Sequence, residues 1–125
     1  MIQALLVAVG GAIGSLLRYY VGQWTLRTMG PAFPWGTLAV NVVGCFVIGV
    51  FAELIARRFN ASVELRLLLI TGFLGGFTTF SAFSLDAISL FERGQAVAGG
   101  LYIVASVGLS MAAVMAGLAV MRALA

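Results

Sequence analysis

The chain has 125 residues, of which 62% are hydrophobic and only 9% charged, against roughly 25% charged in a soluble domain. Such a length is one domain, and so few charges cannot cover a soluble fold, so the composition predicts an integral membrane protein and excludes a soluble enzyme, a nucleic-acid binder and a disordered regulator. The net charge of +3 comes from scattered arginines with no basic run to grip phosphate or anionic lipid, and the absence of histidine with a single Cys45 leaves no zinc or redox centre and no internal disulfide.

Four long apolar runs follow one another along the chain, at about 2–26, 36–56, 65–91 and 96–121. Each can cross a hydrocarbon core of roughly 30 Å as a helix rising about 1.5 Å per residue. The first run lacks a basic leader, exceeds a signal peptide in length and carries Arg18, so it is predicted as a span. Both prolines, Pro31 and Pro34, lie in the first connector and none kinks a span. The connectors are short, which confines the function to the bilayer. With both termini cytoplasmic, Arg57, Arg58, Arg66 and Arg122 lie inside, against Arg18, Arg27 and Arg93 outside. This near balance fits a weakly oriented single topology or insertion both ways as an antiparallel pair.

Span one carries Gly10, Gly14, Arg18 and Gly22 on one face. Gly10 and Gly14 have the spacing that lets two helices approach closely, here as candidate dimer packing. Arg18 either snorkels to the interface or faces a water-filled vestibule that draws anions. Span two repeats polar or small residues at four-residue intervals: Thr37, Asn41, Cys45 and Gly49. Asn41 is a candidate for lining a polar track or for hydrogen-bonding a neighbouring helix. Glu53 and Asp86 lie near span ends, within reach of headgroups.

Span three centres on Gly75-Gly76, followed by Thr78 and Thr79. Paired glycines weaken the helix about 15 Å into the span, near the bilayer midplane. A break there survives only where it is buried in protein, lines water or holds an ion, the alternative being glycine used for tight packing in a continuous helix. Phe80 and Phe83 share a helical face and are interleaved with Thr79, Ser81 and Ser84. A ring edge is electropositive and can meet an anion without a full counter-charge. Span four adds Tyr102, Ser106 and Ser110 at intervals of four, a candidate hydroxyl track.

These residues resemble the small bacterial fluoride channels, the Fluc or CrcB-type proteins, over nearly the whole chain. The resemblance rests on Gly14-Ser15-Leu16-Leu17-Arg18-Tyr19, on Gly36-Thr37-Leu38-Ala39-Val40-Asn41, and most specifically on the run from Gly72 through Gly75-Gly76-Phe77-Thr78-Thr79-Phe80 to Phe83-Ser84. It implies an all-α membrane protein with a broken third helix, assembled as an antiparallel, dual-topology homodimer with two pores. It further implies passive, selective export of fluoride across the bacterial inner membrane, and a structural sodium ion held by the backbone oxygens of Gly75 and Thr78. Phe80 and Phe83 match pore-lining phenylalanines, Asn41 the polar residue near them, Thr37, Tyr102, Ser106 and Ser110 the hydroxyl track, and Arg18 a vestibule arginine. Ala82 replaces a usual threonine, Asp86 a common glutamate, and Cys45 a smaller residue.

Other classes are a coupled exporter resembling small multidrug transporters, which needs a mid-span carboxylate that span one lacks, and a non-transporting assembly subunit packed through Gly10 and Gly14. No nucleophile–base or metal-ligand set supports an enzyme.

Overall fold

The first apolar run folds as helix α1 (Ile2–Met29), continuing past the predicted limit through Arg27 and Thr28. Gly30 ends it, with a φ of 80° and its N–H donating to the Leu26 carbonyl. That left-handed turn is cheap for glycine and strained for other residues. Pro34 then precedes α2 (Trp35–Arg58). A second tight turn passes through Asn60 and Ala61, both at positive φ, before Ser62 caps the third span by accepting the Leu65 N–H. The computed structural model describes residues 1–124, and every span in it outlasts its apolar run by a few residues. Backbone hydrogen bonding continues into the interface, beyond where hydropathy stops.

The third span, Val63–Glu92, is two helices. Its first half, α3 (63–77), contains a π-helical stretch at Leu67–Leu74 before regular turns resume at Gly75–Phe77. Thr78 and Thr79 are extended, with ψ of 159° and 126°. The second half, α4, covers Phe80–Glu92. The break therefore lies midway along the span, two residues beyond the glycine pair, whose members stay helical. The last span is one continuous helix, α5 (Ala96–Leu124).

Packing is pairwise: α1 runs along α3, and α2 runs along α5. Glycines set both approaches. A Cβ on Gly49 would meet the Val114 carbonyl oxygen and lie 2.9 Å from the Leu118 nitrogen, and one on Gly117 would lie 3.0 Å from the Val50 nitrogen. Gly10 and Gly14 do the same for α1, where an added Cβ would lie 2.8 Å from the backbone nitrogens of Phe73 and Phe77 respectively. The close approach expected of this pair at a dimer contact is thus made to α3 of the same chain, because the widened π turn brings its backbone against them. Phe83, Ala87, Leu90 and Tyr102 form a buried cluster between α4 and α5, flanked by Phe33, Leu38 and Ala98. Large apolar side chains such as Leu5, Ile13, Leu101, Val104 and Met115 face outward, where acyl chains rather than water are their solvent.

Candidate ion path at the helix break

A break in hydrocarbon leaves backbone groups that need partners, and the chain supplies them from three helices. Asn41 on α2 does most of this. Its Nδ2 donates to the Thr79 carbonyl at 2.9 Å, and its Oδ1 accepts the Thr79 N–H at 2.8 Å. One amide therefore satisfies both polar groups of one residue, as a neighbouring strand would. Arg18 on α1 donates from Nε to the Gly76 carbonyl at 3.0 Å, so its guanidinium turns inward to the break instead of snorkelling outward. Thr79 Oγ1 accepts the Ala82 N–H at 3.1 Å and caps α4. Thr78 Oγ1 donates back to the Leu74 carbonyl at 2.8 Å and closes α3. The two threonines thus end one helix and begin the next.

These substitutions free other groups. In an unbroken helix the Thr79 N–H would bond the Gly75 carbonyl, and the Ala82 N–H would bond that of Thr78. Both amides are committed elsewhere, so the Gly75 and Thr78 carbonyls lose their helical donors. Gly75 is exposed on the chain surface. Carbonyl oxygens released from helical bonding are the kind of ligand that a hard cation takes.

Beside the break, Asn41, Thr79, Phe80, Phe83, Ser106 and Ser110 line one groove of about 260 Å3, with Cys45 and Met111 on its wall. Six of the predicted path residues are brought together there. The Phe80 and Phe83 rings lie 5.5 Å apart, Phe83 buried and Phe80 77% exposed. Asn41 has two amide protons and spends one on Thr79, which leaves one for a ligand in the groove. Ser106 Oγ is fully buried and has no hydrogen-bond partner among the described residues.

Other predicted residues stand apart. Tyr102 is wholly buried and does not line the groove; its ring packs on Phe33 and Phe83, and its hydroxyl donates to Asp86 Oδ2 at 3.3 Å. Ser81 is exposed, 3.2 Å from Thr79 Oγ1. Thr37 lines a neighbouring cavity of about 350 Å3 with Arg18, Ser15, Thr79 and Ala82. It also lines a mouth cavity of about 280 Å3 with Asp86, Ser89 and Arg93. Thr79 is common to the groove and the Arg18 cavity, and Thr37 to the Arg18 cavity and the mouth. A threonine at position 82 would add its hydroxyl beside Arg18 rather than in the groove.

Two features went unpredicted. Asp86 turns to Tyr102 and the mouth cavity rather than only to headgroups. Glu53 pairs with Arg57 one turn away and with Arg122 at 2.8 Å, tying α2 to α5. The four-residue spacing from Glu53 to Arg57 signals the first pair; no local pattern signals the second.

A profile described as "CrcB-like protein, Camphor Resistance (CrcB)" matches residues 5–118. The chain belongs to the CrcB family. A protein of Rhizobium leguminosarum bv. trifolii (strain WSM2304), named fluoride-specific ion channel FluC, is 97% identical to this CrcB-family chain over 125 residues, all of both chains. The protein of that name from Rhizobium etli (strain CIAT 652) is 91% identical over the full length of both. The one from Agrobacterium fabrum (strain C58 / ATCC 33970) is 65% identical over 122 residues, 98% of each. These relatives carry the name of a channel, not of an enzyme.

Proposed function

We propose that the chain is a fluoride channel that lets fluoride leave the cell down its gradient through the bacterial inner membrane. The observation that carries this reading is the groove at the break, considered with the full-length identity to proteins named for that activity. Fluoride is small and strongly hydrated, so a path must replace its water with donors without binding it too tightly to leave. The Ser110 hydroxyl and the spare Asn41 amide proton are such donors, with the buried Ser106 hydroxyl behind them, and the edges of Phe80 and Phe83 add a weak positive field. No arginine lines the groove; Arg18 lies next to it with its Nε engaged at Gly76. Its charge raises anion concentration nearby without forming a trap.

The working unit is an antiparallel homodimer with two pores. A phenylalanine as exposed as Phe80, directly on the groove, calls for a covering surface, and the small excess of arginines on one side sets only a weak orientation. A structural sodium ion at the dimer centre would be held by the Gly75 and Thr78 carbonyls, where it supplies the positive charge that their lost amide donors no longer provide. A coupled exporter is disfavoured because α1 has no carboxylate, and within the spans Glu53 is ion-paired and Asp86 is bonded to Tyr102.

Phe80→Ile tests the path without touching the hydrogen bonds of the break. Fluoride efflux from liposomes falls to that of protein-free vesicles, while the variant keeps its elution volume on gel filtration. Unchanged efflux from the folded variant would contradict the role given to this ring.

A further inference from the structure

Gly22 and Gly36 meet where α1 packs on α2, and they are glycines for different reasons. A Cβ on Gly36 would lie 2.7 Å from Thr25 Oγ1 and 3.1 Å from the Gly22 Cα, so no side chain fits between the helices there. A Cβ on Gly22 would meet nothing within 4 Å among the described residues. Close packing accounts for Gly36 but not for Gly22. The empty space at Gly22 does not face lipid. Gly22 shares its face of α1 with Gly14, Arg18 and Thr25; Gly14 and Thr25 are buried, and Arg18 is bonded to the Gly76 carbonyl.

That space belongs to two cavities at once. Gly22, Gly36 and Thr37 line both the mouth cavity of about 280 Å3 and the Arg18 cavity of about 350 Å3. Each is roomy enough for water and offers it polar partners, Asp86, Ser89 and Arg93 in the mouth and Ser15 and Arg18 beyond it. We propose that Gly22 is the neck of a water-filled passage from the mouth to the Arg18 cavity, and that fluoride reaches the break through it. The missing side chain holds the passage open, and a bulky one would fill it. An anion entering here passes Arg93, then Arg18, and arrives at Thr79, which lines both the Arg18 cavity and the groove. Irregular backbone at membrane depth is tolerated where it borders such water, and the break lies at the end of this passage. The claim about fluoride rests on the reading of the chain as a fluoride channel; the claim of a passage open to water does not.

The test places a thiol at the neck of a conducting protein. Gly22→Cys is made in a Cys45→Ala background, so that the introduced thiol is the chain's single one, and the protein is reconstituted in liposomes. The probe is 2-sulfonatoethyl methanethiosulfonate, present on both sides of the membrane. It is charged, so it reaches thiols open to water and not those facing lipid. One readout is the mass of the intact protein, and the other is fluoride efflux. The reagent is expected to add to the introduced thiol and to lower efflux to that of protein-free vesicles, with recovery in dithiothreitol. Cys45→Ala alone, compared with its own untreated rate, does not respond. Gly22→Leu loses efflux while melting like wild type, and Gly22→Ala, which adds only a methyl to open space, keeps most of it. No added mass would show a neck closed to water and overturn the proposal. Added mass with unchanged efflux would show that fluoride travels elsewhere and overturn the claim about fluoride. Absence of efflux from every untreated protein, wild type included, would instead count against the channel reading, and the mass readout would still decide whether the passage is open.

Discussion

Asn41 holds the break because its two polar atoms meet the two backbone groups of Thr79, one donating and one accepting. Leucine at this position has the bulk and neither bond, leaving an N–H and a C=O unpaired where water is scarce. Each such group costs about 1–3 kcal/mol, so Asn41→Leu should melt well below wild type in detergent and conduct poorly. Asn41→Asp keeps the acceptor for the Thr79 N–H and should melt between the two. A leucine variant as stable as wild type would show that the break stands without Asn41. The sequence gives good notice of an amide inside a span, but not of its partner. Thr79 is 38 residues away, and only the fold reveals that one side chain serves both of its backbone groups. Tyr102 shows the limit from the other side: its four-residue spacing from Ser106 is real, yet one turn along α5 is enough to carry it from the groove into the core behind Phe83.

Helices α2 and α5 meet at glycines, and the geometry is unforgiving there. An added methyl on Gly117 would run into the Phe46 carbonyl oxygen, which is backbone and cannot rotate away. Overpacking of this kind typically costs about 1–3 kcal/mol. Gly117→Val should therefore lower the thermal midpoint, whereas Gly108→Val, with nothing within 4 Å of its Cβ position, should leave it near wild type. Equal midpoints would argue against the α2–α5 contact described above. At this scale much is legible without coordinates, since an apolar run long enough to span a membrane has one way to satisfy its backbone. The π-helical stretch at Leu67–Leu74 is not legible, because its residues Leu-Leu-Leu-Ile-Thr-Gly-Phe-Leu suit a regular helix equally well. It packs against α1, where Gly10 and Gly14 make their intrachain contact. The break is legible in kind and slightly displaced in position: Gly75-Gly76 marks the weak point, but the extended residues are the two threonines that can cap the flanking helices.

For the whole molecule, the proposed antiparallel dimer makes orientation a measurable property. With Arg18 drawn to the break, the arginines left at the two sides number four (Arg57, Arg58, Arg66, Arg122) and two (Arg27, Arg93), a small bias that a few added charges should override. Lysines added to the 59–62 connector bias the chain one way, and lysines added to the 93–95 turn bias it the other. Each biased variant expressed alone should be inactive, and the two expressed together should restore efflux. Full activity from one biased variant alone, with its orientation verified by labelling at an introduced cysteine, would require a parallel or monomeric unit. Asn41 and the threonines hold the break, glycine-set packing positions it, and in the proposed dimer a second copy covers the exposed Phe80.

The most direct test is fluoride loss from liposomes containing the purified protein, followed with a fluoride electrode, with chloride compared in parallel and no proton or sodium gradient imposed. A passive fluoride channel releases fluoride rapidly and retains chloride. Fluoride held inside until a proton or sodium gradient is supplied would contradict the account and point to a coupled transporter.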